Sequence, residues 1–244
     1  IRMVLYKVVN GELRQMLNSK EPAGLVGYVE NGRLTGEGID KLTDTLSHFK
    51  LILESVRVKK VLPFATASLR NIENRDEALS AVQKTCGWRV RVLSGLEEAM
   101  CDYYGASRLF HAADGLLCDV GGGSTELVYF TKRKAVLGVS LPVGSLTLYN
   151  RFVDGILPSR GEVRKIEAEA AAQIGAARLH IRSGAAKQIV AVGGTARAAL
   201  KLRNSLIREI VELGLNQLPR GGQNRDHAPD SGLCCGVCGD FPHD

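Results

Sequence analysis

Residues 115–130 constrain this chain more than any other stretch. Two apolar runs, 116–120 and 127–130, flank three consecutive glycines, Gly121, Gly122 and Gly123, followed by Ser124, Thr125 and Glu126. Apolar runs joined by a glycine turn read as a β-hairpin. The make-up of the turn adds chemistry to that geometry. Successive glycines leave backbone amides uncovered, and bare amides form a concave anion site. Ser124 and Thr125 add hydroxyl donors, which a phosphate oxygen accepts. Asp119 and Glu126 bracket the turn with carboxylates that would repel a phosphate unless Mg²⁺ lies between them. A tight hairpin without a ligand explains the glycines but leaves the two acids unexplained.

Taken in order, the chain alternates strand and helix signals. Residues 1–9 carry strand-forming residues and end at the turn signal Asn10-Gly11. Residues 13–29 hold a further strand before Asn31-Gly32 turns the chain again, which suggests an antiparallel meander. From Ile39 the apolar residues Leu42, Leu46, Phe49, Leu53 and Val56 recur at helical spacing. Residues 59–65 read as a buried strand. They lead into Ala65-Thr66-Ala67-Ser68-Leu69-Arg70, where hydroxyls and Arg70 would suit a phosphate, or simply begin a helix with an exposed Arg.

A helix is expected over 74–86 and a half-wet strand over 88–93. A second helix, to about residue 110, opens with Ser94-Gly95-Leu96-Glu97-Glu98-Ala99. Acids in a first turn complement the helix dipole. Alternatively one of them is a general base, and only one, because adjacent residues lie roughly 100° apart around a helix. After the glycine hairpin come a strand over 135–141, a loop at 142–145, and an Ala-rich helix over 161–181. That helix would present Val163, Ile166, Ala170, Ile174 and Ala177 on one face. A strand over 188–192 runs into Gly193-Gly194-Thr195 and a helix over 196–202, a second candidate anion site.

Charge and composition narrow the partners. The formal net charge of +6 suits a polyanion. Aromatics are too few, and too little interleaved with basic residues, for a nucleic-acid platform. No run approaches the roughly 18 apolar residues of a membrane span. Cys86, Cys101 and Cys118 stand at unrelated spacings, as expected of a reduced, cytoplasmic setting. The remaining three cysteines lie in the tail. There Cys234, Cys235 and Cys238, with His227 and His243, match no closed zinc-site spacing.

Ala65-Thr66-Ala67-Ser68-Leu69-Arg70 with Asn74, Ser94-Gly95-Leu96-Glu97-Glu98-Ala99, the run from Asp119 to Leu127, and Val192-Gly193-Gly194-Thr195-Ala196 follow one another in an order and spacing that resembles the exopolyphosphatase / guanosine pentaphosphate phosphohydrolase (Ppx/GppA) family. The resemblance covers about residues 1–203. It implies an α/β fold of the actin-like ATPase (ribonuclease H-like) superfamily, with two α/β lobes around a cleft. It implies Mg²⁺-dependent hydrolysis of a terminal phosphoanhydride, in inorganic polyphosphate or guanosine pentaphosphate. Carried onto this sequence, Glu98 is the general base that activates water, and Asp119 and Glu126 are the acids near metal and water. Gly121, Gly122, Gly123, Ser124 and Thr125 form a phosphate loop, Arg70 contacts phosphate, and Gly193, Gly194 and Thr195 line the cleft from the second lobe.

The resemblance begins just after the Asp-x-Gly-Ser-Asn loop with which the family opens. The expected organisation is therefore a first lobe over 1–112 lacking that strand and loop, an incomplete second lobe over 113–203, and an atypical, poorly ordered tail over 204–244. A homodimer is compatible with a longer form. Two other readings share these glycine loops: a kinase or ATPase of the same superfold, and a catalytically inactive polyanion-binding fragment.

Overall fold

A computed structural model describes residues 1–177, 179, 181 and 186–217, with 208–217 as backbone only. The described residues divide between Ser94 and Gly95 into two compact units. The expected lobe boundary lay at 112/113; in the structure the helix that follows Ser94 goes with the second unit. The Cys-rich stretch and most of the expected tail lie outside the described residues.

In the first unit, Asn10-Gly11 turns β1 (Arg2–Val9) into β2 (Glu12–Lys20) as an antiparallel hairpin, with both turn residues at positive φ. Asn31-Gly32 does the same for the short pair β3 (Val29–Glu30) and β4 (Arg33–Leu34). These are two separate sheets, not the single meander expected. Pro22, the left-handed Gly24 and a 3-10 turn at Leu25–Tyr28 divert the chain between them.

Thr35 caps α1 (Gly36–Ser55), its Oγ1 accepting from Gly38 N at 3.2 Å, and Leu42, Phe49 and Leu53 form the buried stripe. The expected strand over 59–65 shrinks to β5 (Phe64–Ala65), parallel to β6 (Arg91–Val92). Pro63 has no N–H to give a ladder, and Leu62 and Phe64 are 71% and 65% exposed. The one-turn α2 (Ala67–Arg70) follows, then α3 (Arg75–Cys86). Buried Asn74 clasps β4 as a strand would: its Oδ1 accepts from Leu34 N at 2.8 Å and its Nδ2 donates to Leu34 O at 2.9 Å. The core gathers Leu42, Leu69, Ile72, Ala78 and Val82, with Met3, Phe49 and Leu53 beside it.

The second unit is built on one sheet of order β10-β7-β8-β9. Strands β7 (Gly115–Val120), β8 (Thr125–Thr131) and β9 (Lys134–Leu141) run antiparallel, and β10 (Ile189–Val192) lies parallel to β7. Helix α4 (Gly95–Ala106) ends before the expected residue 110, and Phe110 folds back into the core. Ala99, Tyr103, Phe110, Leu117, Val128 and Phe130 fill one face of the sheet. The Tyr103 hydroxyl is buried there without a hydrogen-bond partner. Leu127, Leu141 and Val143 fill the other face, with Leu148 of α5 (Ser145–Phe152) against them.

Helix α6 (Arg160–Ala176) is shorter than expected and fully buries none of its side chains; its expected apolar face leaves Val163 and Ile174 exposed. Helix α7 starts at Gly193, directly after β10, and runs to Gln217, well beyond the expected residue 202. Among the described residues no helix is long and apolar enough to cross a membrane.

Candidate active site

Strand register and helix period bring the acids of the second unit together. Asp119 lies opposite Glu126, and Leu117 opposite Val128. Side chains alternate along a strand, so Asp119 and Glu126 stand on the same face as Leu117, Val128 and Phe130, at its end. That face packs on α4 through Ala99 and Tyr103. Glu98 and Asp102 immediately precede those two residues and lie four apart, hence stacked along one side of α4. Two glycines let α4 lie close over β9. A Cβ on Gly138 would meet Met100 Cε at 2.7 Å and Leu96 Cδ1 at 3.2 Å, and one on Gly95 would overlap Ser140 Cβ.

The glycine turn has two sides. Gly121 N donates to Ser124 O at 2.9 Å and closes the turn. The Gly121 carbonyl accepts from Ser145 N at 2.8 Å, and the Gly122 carbonyl from Leu146 N at 3.0 Å and Thr147 N at 3.1 Å. The turn therefore caps the first turn of α5, whose leading amides have no partners within the helix. A trans peptide points its N–H opposite its C=O, and no peptide here is cis. The Gly122 and Gly123 amides consequently point away from α5. None of the three glycines needs positive φ. Close approach limits side chains instead: a Cβ on Gly122 would meet Leu146 Cδ1 at 3.0 Å and make that side chain shift, and one on Gly144 would clash with the Gly122 backbone at 2.5 Å.

The two expected hydroxyl donors are otherwise engaged. Thr125 Oγ1 donates to Val143 O at 2.6 Å. Ser124 is 3% exposed and its hydroxyl is hydrogen-bonded to Glu126. Of the residues expected to hold phosphate in this loop, the structure leaves the Gly122 and Gly123 amides as the outward donors.

Electrostatics match the crowding. Burial pushes Asp102 up to about 7, and the carboxylates of Asp119, Glu126 and Glu98 add to the shift. Asp119 is raised by burial and by Glu98, while the Arg197 guanidinium opposes the change. Glu126 is raised by burial first; the Ser140 and Ser124 hydroxyls pull it back, and Glu98 and Asp119 push it up. Cys118, on the far face of the sheet, is likewise raised by burial.

Gly193-Gly194-Thr195 is the opening turn of α7 and not a separate loop. Gly193 has φ +84°, and a Cβ there would overlap Asp119 Oδ1 and approach Asp119 Cγ at 3.0 Å. Val192 pairs with Asp119, so the register itself sets the carboxylate against the helix start. Arg70 belongs to the first unit, where its Nη1 donates to Leu93 O at 3.2 Å.

Sequence reasoning missed Asp102, Ser140 and Arg197. The four-residue step from Glu98 was the available signal for Asp102. Ser140 and Arg197 carry no local signal, because strand pairing and helix placement bring them in.

Among the described residues no group of three or more His, Cys, Asp or Glu side chains is arranged to hold a metal ion. Asp119 and Glu126 still fit Mg²⁺, a hard cation that binds through one or two carboxylates and otherwise keeps water and phosphate oxygens.

Exopolyphosphatase 1 of Mycobacterium leprae is 32% identical over 135 residues, 54% of this chain and 40% of that protein. Exopolyphosphatase 1 of Mycobacterium bovis is 30% identical over 135 residues, 54% of this chain and 39% of that protein. The matches thus span about two-fifths of the length of these relatives. An exopolyphosphatase structure from Cytophaga hutchinsonii superposes with a TM-score of 0.77 at 23% identity, covering 85% of this chain and 68% of that one. A Ppx/GppA family structure from Aquifex aeolicus gives 0.62 at 26% identity, covering 82% and 65%. The α/β fold is of the actin-like ATPase class, as expected. The Ppx/GppA phosphatase family model matches residues 4–218, and the chain belongs to that family.

Proposed function

We propose that this chain hydrolyses a terminal phosphoanhydride, of inorganic polyphosphate or of guanosine pentaphosphate, with Mg²⁺. The observation that carries the reading is the convergence of Glu98, Asp102, Asp119 and Glu126 beside the outward amides of Gly122 and Gly123. Polyphosphate as substrate is supported by the exopolyphosphatases among the relatives. In phosphoryl transfer the protein mainly positions groups and neutralises charge. The Gly122 and Gly123 amides bind oxygens of the terminal phosphate. Glu98 accepts the proton of the attacking water. Asp119 and Glu126 would hold the metal, Glu126 through the lone pairs that the Ser124 and Ser140 hydroxyls leave free. Mg²⁺, when bound, neutralises developing charge on the phosphate oxygens. Gly194 and Thr195, in the first turn of α7, contact phosphate as the resemblance implies.

Orthophosphate release from polyphosphate, with and without Mg²⁺, tests the reading on this chain and on Glu98→Gln. Release should need Mg²⁺ and fall on the order of a hundredfold in the variant, a usual general-base effect. Equal release from both would remove Glu98 from the mechanism. No release from either would refute hydrolysis by this chain.

A further inference from the structure

Glu126 is 2% exposed, and a carboxylate so buried needs donors on its oxygens. Two hydroxyls meet that need. Ser124 is fixed by the turn that it ends. Ser140 comes from β9, where the register sets it directly opposite Glu126, and its Oγ donates to Glu126 Oε1 at 2.6 Å. The same residue meets α4 from the other side. Gly95, the first residue of α4, packs so closely on Ser140 that any Cβ on Gly95 would overlap Ser140 Cβ. Glu98 follows one turn later on that helix. A half-buried strand position ordinarily favours a β-branched or aromatic side chain. Here a larger residue would lift α4, and an apolar one would leave Glu126 a donor short.

We propose that Ser140 is a positioning residue for hydrolysis: its hydroxyl holds the Glu126 carboxylate and its small side chain seats the start of α4, so that one residue sets Glu126 and Glu98 together. The inference rests on the reading that these two acids act on the substrate. Ser140 acts through Glu126.

The test combines a structure with kinetics on the whole chain. Ser140→Ala keeps the packing volume and deletes the donor. Its crystal structure should show the Glu126 carboxylate turned away from its wild-type position. In orthophosphate release, kcat should fall roughly 10- to 100-fold, the usual cost of losing a supporting shell, with KM within about twofold, as for an interaction made chiefly in the transition state. The Ser140→Ala loss should vanish in a Glu126→Gln background, because residues acting through one another are not additive. An unmoved Glu126 in the Ser140→Ala structure, or the same loss in both backgrounds, overturns the inference. Absence of turnover in the wild-type chain instead overturns the hydrolase reading, and the position of Glu126 in the variant still decides whether Ser140 holds it.

Discussion

Replacing Gly193 with alanine tests whether Asp119 must lie against the first turn of α7. Two costs add. Gly193 has φ +84°, a region that disfavours L-residues by about 1–2 kcal/mol. The new Cβ would also overlap Asp119 Oδ1, so the carboxylate must retreat by on the order of 1 Å to reach ordinary van der Waals separation. The first cost should lower Tm by roughly 2–8 °C in a protein of this size. The second should lower hydrolysis on the order of a hundredfold, the usual effect of a 1 Å misplacement. Scanning calorimetry and orthophosphate release read the two separately. Gly194→Ala is the stability control: its Cβ would meet nothing within 4 Å and its φ is ordinary, so Tm should not fall. A Gly193→Ala protein with wild-type Tm and wild-type turnover would refute the reasoning, because neither the strain nor the contact would then exist.

Two further outcomes follow from groups inside the second unit. Asp102 titrates near 3.8 when unfolded and at about 7 when folded, so its protonated form is the one that folding favours. That stability is complete below about pH 4 and is lost as pH rises towards 7; Asp119 and Glu126, also raised, act in the same direction. Tm should therefore be lower at pH 8 than at pH 5, Asp102→Asn should flatten the difference, and added Mg²⁺ should raise Tm at pH 8. A pH-independent Tm would contradict the crowding that raises these three carboxyls. Tyr103→Phe removes a hydroxyl that is buried without a partner, so denaturant unfolding should show a gain of about 1 kcal/mol; a loss would mean that the hydroxyl has a partner.

What was legible in the sequence was local. The helical spacing from Ile39 and the Asn-Gly turns specify their elements through residues a few positions apart, and α1 and both turns stand where expected. The acids around the glycine turn were legible for the same reason. What was not legible depends on partners distant in sequence. The strand over 59–65 failed because Pro63 supplies no ladder donor and only Phe64–Ala65 finds a neighbour. The apolar stripe of α6 promised a buried face that the fold does not cover. Within the site, Ser124 and Thr125 read as phosphate donors because hydroxyls beside glycines suit that purpose. Their engagement with Glu126 and Val143 follows from strand pairing and from the return of the chain before α5. Ser140 joins Glu126 across fourteen positions of sequence, with nothing local to announce it.

The peptide groups of the glycine turn belong to two systems at once. Their carbonyls cap the first turn of α5, and the amides on their other side, those of Gly122 and Gly123, point away from it. A peptide polarised on one side bonds more strongly on the other, since hydrogen bonds in series reinforce one another. The first turn of α5 is thus joined to the Gly122 and Gly123 amides through two planar units. Exchange of the Ser145, Leu146 and Thr147 amides with solvent should slow when an anion settles on Gly122 and Gly123. The same wiring restrains how the chain can vary: lengthening or rotating α5 would tilt those planes and redirect the donors, so helix and turn must change together or not at all.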